Sequence, residues 1–416
     1  MPQNYAKHKL SMGSCGTDKI SRLGAGAVFD LTCADESPDT VALSELTGFP
    51  HEITEVKRKR VPGVSHVKNC GRSMPVLKIL QTSHCRFNCL YCAFRKDCDR
   101  PRDTIPPDEL AGTTVSMAKA GLIEGLFLSS GIGSSVPDTM SRMIDTVRIL
   151  REKYLFDGYI HLKILPGSSI DLIEAGGKYA DRLSINMEAP TESALKDIAP
   201  NKGIQSAIIK QMQWIETLKR TGKIEKRVSQ TTQFVVGGSD DPGANDRALV
   251  VAANYLYREL NFGRVYYSAF NPVIGTPLEN RHPENPLRSH RLYQADFLLK
   301  QYGWSADDIV FDENGRLDLE IDPKEKWANE NAAIFPIEVT TAEPSLLLKI
   351  PGIGPVTMKR IIEARSEGRL RNPDSLSTLE NFPRKALRWI LVNGKSGEIG
   401  SPVVRGWDSP QLKFEF

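Results

Sequence analysis

What this chain of 416 residues lacks narrows it first. It has no run of about 18 apolar residues to serve as a membrane span. Its opening, Met1 to Leu10, is too polar for a secretory signal. It carries no large excess of either charge: 54 Lys and Arg stand against 51 Asp and Glu, a formal net charge of +3. Its cysteines number seven, an odd count scattered along a long chain, which argues against a disulfide framework and for a reducing compartment. Together these absences predict a cytoplasmic protein with no membrane contact. With 40% hydrophobic and 25% charged residues, the composition is that of a globular protein of two or three domains.

The cysteines that are present are not all scattered. Cys85, Cys89 and Cys92 lie in the run Ser83-His84-Cys85-Arg86-Phe87-Asn88-Cys89-Leu90-Tyr91-Cys92. A thiolate triplet at this spacing can wrap one loop around a single iron-sulfur cluster, liganding three irons and leaving the fourth open to a substrate or cofactor. The same triplet can hold zinc, with Cys98 or His84 as fourth ligand, in a non-catalytic nucleic-acid-binding protein. Cys15, Cys33, Cys70 and Cys98 are enough for an auxiliary metal site, although their spacing is irregular.

The order of elements predicts an α/β protein. Residues 1–73 are mixed and Gly-rich, with a basic run at Lys57-Arg58-Lys59-Arg60, and read as an irregular N-terminal extension. From 74 to 283 short apolar runs alternate with amphipathic segments, the pattern of βα units on a parallel sheet. Strands are expected at 76–82, 125–129, 158–165, 182–186, 230–236 and 265–270, with helices between them. Six such units make a partial, TIM-like (β/α)6 barrel. In this architecture chemistry collects at the C-terminal ends of the strands, and the cysteine loop follows the first. Ser129, Ser130 and Gly131 follow the second, where small residues admit a close ligand. Ser184, Asn186 and Glu188 stand two apart, so their side chains are expected to converge on the lumen, facing either a ligand or Lys163 and His161. Gly237 ends the fifth strand and Asn271 follows the sixth.

Residues 284–335 read as a helical linker with buried Trp304 and Trp327, and Asp307, Asp308, Asp318 and Asp322 as caps or solvated turns. In residues 336–395 a Leu-rich helix, with Thr340 and Glu343 as its capping box, leads into Pro351-Gly352-Ile353-Gly354 and a second helix. Ile361 and Ile362 of that second helix are expected to pack back on Leu347 and Ile350. This resembles the small, all-α helix-hairpin-helix module of DNA repair and processing proteins. Gly352 and Gly354 can leave N–H groups free for a phosphate, with Lys359 and Arg360 one turn on. Residues 340–416 hold 12 basic against 8 acidic residues, a cationic end on a near-neutral body. A tail, 396–416, follows.

The cysteine spacing, with an aromatic residue before the last thiol, resembles the cluster loop of the radical S-adenosylmethionine (radical SAM) superfamily. With the hairpin in the same chain, the sequence from about Lys9 to about Asn393 is similar to a bacterial and archaeal family described as DNA modification/repair radical SAM proteins. The resemblance implies a 4Fe-4S cluster on Cys85, Cys89 and Cys92 whose open iron binds SAM and cleaves it reductively to a 5′-deoxyadenosyl radical. It also implies SAM contacts from Ser129, Ser130, Gly131, Lys163, Ser184, Asn186, Glu188, Gly237 and Asn271. The expected partners are DNA or RNA on Gly352, Gly354, Lys359 and Arg360, and an external electron donor such as flavodoxin or ferredoxin. The alternative within the same superfamily is a small-molecule substrate, the hairpin then being structural.

Overall fold

The structure, a computed structural model, describes residues 19–24, 27, 63–69, 72–203 and 205–396. Cys15, Cys33, Cys70, the 57–60 basic run and the tail beyond 396 lie outside the described residues.

Seven strands form one sheet in chain order. β1 (Val64–Asn69) pairs antiparallel with β2 (Arg72–Leu80). Then β3 (Gly125–Ser129), β4 (Tyr159–Lys163), β5 (Arg182–Ser184), β6 (Ser229–Val236) and β7 (Arg264–Ala269) follow in parallel. The six parallel strands, β2 to β7, are the partial barrel. β1 corrects the expectation of an irregular N-terminal segment through residue 73: Val64 to Asn69 is too weakly patterned to announce a strand, and it forms by pairing along β2.

The helices between the strands are set by local chemistry. α1 (Pro107–Lys119) opens on Pro107 with Asp108 and Glu109 in its first turn. α2 (Val136–Glu152), α3 (Ile170–Gly177) and α4 (Glu192–Ile198) are capped by Ser135, Ser169 and Thr191, whose side chains accept from the backbone N–H of Asp138, Leu172 and Ala194. α5 (Gln205–Arg220) and α6 (Asp246–Leu260) complete the crossovers. A Cβ on Gly176 of α3 would stand 2.7 Å from the Leu162 Cδ2 atom. Leu162 therefore faces the helices, and its neighbours His161 and Lys163 face the opposite way, into the barrel. The register carries that inner face across the sheet: Lys78 lies opposite Phe127, Phe127 opposite His161, His161 opposite Arg182, and Lys163 opposite Ser184.

The described chain divides into two compact units. One runs to Ser239 and resumes over Leu260–Pro283; the other takes Asp240–Glu259 and residues from Glu284 onward. Most of α6 thus belongs to the second unit, where Asp246 forms a buried ion pair with Arg288 (2.7 Å) of α7 (Pro286–Gln301) and accepts from the Leu317 N–H (2.9 Å). That unit continues with α8 (Pro323–Glu330), capped by Asp322, then α9 (Pro344–Leu347) and α10 (Pro355–Ser366). Its core joins Leu347, Ile350, Ile353, Ile361 and Trp389. It also carries a small sheet of β8 (Ile337–Glu338), β9 (Ile390–Val392) and β10 (Lys395–Ser396), strands too short to leave a periodicity. The expected capping box is not formed: Glu343 is the N-cap of α9 without a side-chain bond, and the Thr340 hydroxyl donates instead to Glu338 (2.5 Å). No helix among the described residues is long and apolar enough to cross a membrane.

Candidate functional site

β2 delivers the chain at Leu80 into the segment that carries Cys85, Cys89 and Cys92, and neighbouring elements hold that segment in place. Its start lies along the end of β3: the Gln81 N–H donates to Ser129 O (2.8 Å), Gly131 N–H to Thr82 O (2.7 Å) and Arg86 N–H to Ile132 O (2.7 Å). Its middle is pinned at the end of α4, where the Leu90 N–H donates to Ile198 O (2.8 Å) and the Asn88 N–H to the Asn201 side-chain oxygen (3.1 Å). Lys96 N–H closes the loop on Phe87 O (2.8 Å). Gly131 is where β3 presses hardest on it. A Cβ there would lie 3.2 Å from Cys85 Cβ and 3.0 Å from the His84 carbonyl carbon, and closer still to its oxygen.

Cys89 is buried, while Cys85 and Cys92 are half-buried. Burial pushes the Cys89 thiol up to about 12; Lys202 opposes this, and Cys92, Glu188 and Cys85 add to it. The three cysteines are thus electrostatic neighbours, and the Phe94 N–H already points at Cys92 Sγ (3.4 Å). Among the described residues, no group of three or more His, Cys, Asp or Glu side chains is gathered closely enough to hold a single metal ion. A cluster asks something different of its ligands, one thiolate on each of several irons. Three thiols on one braced loop are a donor set of that kind.

The barrel face below is polar and cationic. Lys78 and His161 are 1% and 3% exposed, and Lys163 is 9% exposed. The ammonium groups of Lys78 and Lys163 stand 5.8 and 6.0 Å from the Phe127 ring centroid. His161 packs edge-on to the same ring, and its Nε2 is 2.8 Å from Ser184 Oγ. Burial, reinforced by Arg182, Lys163 and Lys78, holds the imidazole well below its ordinary range and keeps it neutral.

The other expected cofactor residues divide. Ser129 and Asn186 are buried, and the Ser130 hydroxyl donates to Gly131 O (2.7 Å). Gly237 turns the chain after β6 with φ of +75°. Asn271 is exposed, its amide directed at Ala269 O (3.4 Å). Glu188 does not extend the alternation of Ser184 and Asn186. β5 stops at Ser184, and Glu188 takes a φ of +64°, which directs its carboxylate to Lys202 beneath the cysteine loop. There it raises the Tyr91 phenol, whose main cause of elevation is burial. Lys78 and Lys202 are not predicted from the sequence, and Tyr91 is marked there only as the aromatic residue before the last thiol. Lys78 had a signal, a lone lysine in the apolar run Val76-Leu77-Lys78-Ile79-Leu80, whereas Lys202 had none.

In the second unit the hairpin between α9 and α10 is closed by its own neighbours. Gly352 has φ of +89°, and a Cβ on it would meet the Lys385 side chain at 3.0 Å; one on Gly354 would meet the Tyr302 hydroxyl at 3.0 Å. The buried Lys324 ammonium donates to Ile353 O. Arg360 donates to the backbone oxygen and the carboxylate of Glu380 (2.5 and 2.6 Å). Lys359 is exposed.

Residues 79–245 match the model of the Radical SAM superfamily. An uncharacterized protein of Methanocaldococcus jannaschii is 25% identical over 217 residues, 50% of this chain and 51% of that one, so the chain spans about half the length of the curated relative it matches. Methylornithine synthase aligns at 14% identity and a TM-score of 0.43 over 53% of this chain and 60% of its own. The FeFe-hydrogenase maturase HydG from Carboxydothermus hydrogenoformans aligns at 13% and 0.40, over 74% and 79%. Likenesses this distant say nothing of the reaction. The matched segment does contain all three loop cysteines and the strands that brace them. That segment is similar to the radical SAM superfamily.

Proposed function

We propose that the chain uses a 4Fe-4S cluster on Cys85, Cys89 and Cys92 and SAM to act on a small molecule in the barrel, while the C-terminal hairpin packs its own unit. The observation that carries this reading is where the hairpin's polar groups go. Of the four residues expected to meet phosphate, Arg360 is engaged by Glu380 and both glycines lie against side chains of the same unit. The turn's Ile353 carbonyl is taken by Lys324. A polar barrel face with Lys78, His161, Lys163 and Ser184 supports a compact polar substrate. When bound, cluster and SAM supply the radical chemistry. The chain's own residues then hold and shield: Gly131 lets the end of β3 close against the loop, Ser184 orients the neutral His161, and burial keeps water from the barrel face.

A nucleic-acid substrate is the second reading, favoured by exposed Lys359 and by the tight Pro-Gly turn itself. Binding of the full chain to duplex and single-stranded DNA and RNA, titrated against salt, separates the two. The small-molecule reading expects no steep salt dependence. Saturable binding whose affinity falls by orders of magnitude as salt rises, and falls again in Lys359→Gln, would overturn it.

A further inference from the structure

The first unit has a cavity of about 610 Å³ at the cysteine loop, a volume suited to a small ligand, with His84, Cys85 and Cys98 among its lining residues. The proposed reaction gives its cationic residues no role. Arg86, Lys96, Arg100, Arg102 and Arg142 line it, against two carboxylates, Asp99 and Asp138. The cations reach it from separate stretches of chain: the cysteine loop, the segment after it, and α2.

Three of them are fixed in advance, Arg86 by donating to Ser134 O. Arg102 donates to the carbonyls of Ser83, Arg95 and Cys98, each at 2.8 Å, and Arg100 to that of Ile274 (2.8 Å). Carbonyls orient these guanidinium groups without cancelling their charge. Of the two carboxylates, Asp138 is already occupied, accepting from the Ser134 hydroxyl (2.5 Å) and lying 3.6 Å from Arg142. Lys96 is exposed, and the Arg142 side chain is 52% exposed, so both can turn toward a guest. Three oriented guanidinium groups, with Lys96 and Arg142 beside them, match a compact dianion, which planar donors can grip with more than one hydrogen bond.

We propose that this cavity binds the phosphate group of a small molecule. Cys85 lines the same cavity, so phosphate is titrated with and without the cluster: binding in both states separates a failure of this inference from a failure of the radical SAM reading.

Inorganic phosphate is the probe, titrated calorimetrically into the full chain at low ionic strength, before and after cluster reconstitution, with SAM cleavage measured separately. The expected result is saturable one-to-one binding in both states, with affinity falling about tenfold or more, a loss of roughly 1.4 kcal/mol, in the double variant Lys96→Met/Arg142→Gln. Both replaced side chains are exposed, so the fold should survive. A circular dichroism melt coincident with wild type checks this. Absence of saturable binding, or unchanged affinity in the folded double variant, overturns the proposal. Succinate binding as tightly as phosphate also overturns it, since the site would then be a general anion site. A double variant that keeps phosphate affinity but accepts electrons more slowly from reduced flavodoxin overturns it in favour of a docking face for an acidic protein.

Discussion

Replacing Gly131 with alanine tests whether the end of β3 is built to lie against the cysteine loop. The backbone there has no left-handed φ, so alanine meets no conformational penalty and the effect is steric alone. The added methyl would stand 3.0 Å from the His84 carbonyl carbon and 3.2 Å from Cys85 Cβ, with the His84 oxygen nearer still. These are backbone and near-backbone atoms that no rotamer change can move. The strand end and the loop must separate, breaking the Gly131 N–H to Thr82 O bond (2.7 Å) or the Arg86 N–H to Ile132 O bond beside it. Overpacking of this kind costs about 1–3 kcal/mol, and a shift of about 1 Å at a reacting centre is worth roughly 100-fold in rate. The assay is anaerobic reconstitution followed by chromatographic measurement of 5′-deoxyadenosine, with a thermal melt of the same preparation. Gly133→Ala is the internal control: two residues on, its nearest atoms would be 3.7 and 3.9 Å from the new methyl, ordinary contact distances. If Gly131→Ala melts and cleaves SAM like wild type, or if Gly133→Ala is impaired as badly, the close approach has no functional meaning.

Further consequences are open to measurement. Alanine at Cys85, Cys89 or Cys92 should abolish both the cluster's visible absorbance and reductive SAM cleavage; cleavage at the wild-type rate in any of the three removes that residue from the ligand set. Lys324, buried on the hairpin carbonyl, has its ammonium lowered to about 7 by that burial, against 10.5 unperturbed. The unfolded chain therefore binds the extra proton between these values, and stability should climb with pH across the window by up to about 1.4 kcal/mol per unit. Lys324→Met should flatten this limb in denaturant titrations, and a limb of unchanged slope would contradict the burial. His161 is depressed from 6.5, so its contribution is complete above that pH and is lost as the pH falls toward its lowered folded value. His161→Gln should make unfolding less acid-sensitive in the same titration. Gly352→Ala forces a side chain onto φ of +89° against Lys385 and should cost about 1–3 kcal/mol; a melt equal to wild type would show that the turn relaxes freely.

The barrel was legible because its strands are buried on both faces. Runs such as Gly125-Leu126-Phe127-Leu128-Ser129 stand out from the amphipathic helices between them, and the structure places β3 on those five residues. The cysteine loop was legible through spacing, which survives whatever the surrounding chain does. The polar partners were less so, since they depend on register. That Lys78, Phe127 and His161 form one layer follows from strand pairings across three βα units, and no local pattern records them. β1 and the small sheet of the second unit were hidden because their short strands take their conformation from a neighbour.

Glu188 shows where alternation as a rule gives out. Counting by twos from Ser184 through Asn186 carries its side chain into the lumen only while the backbone stays extended, and the chain leaves β5 at Ser184. A left-handed turn at a non-glycine residue is sparsely populated and persists where surrounding contacts enforce it. Here the Glu188 N–H donates to Gln233 O (2.9 Å), the Val235 N–H donates to Glu188 O (2.8 Å), and Lys202 takes the carboxylate. The outcome is an acid-base pair buried below Tyr91 and Cys89, 2% and 12% exposed at its two side chains. Such a pair is poor value as a source of stability, since its desolvation offsets most of the attraction. Its position explains it better: it puts an ammonium and a carboxylate beside the most deeply buried of the three cysteines, where they set the local field on the cysteine loop.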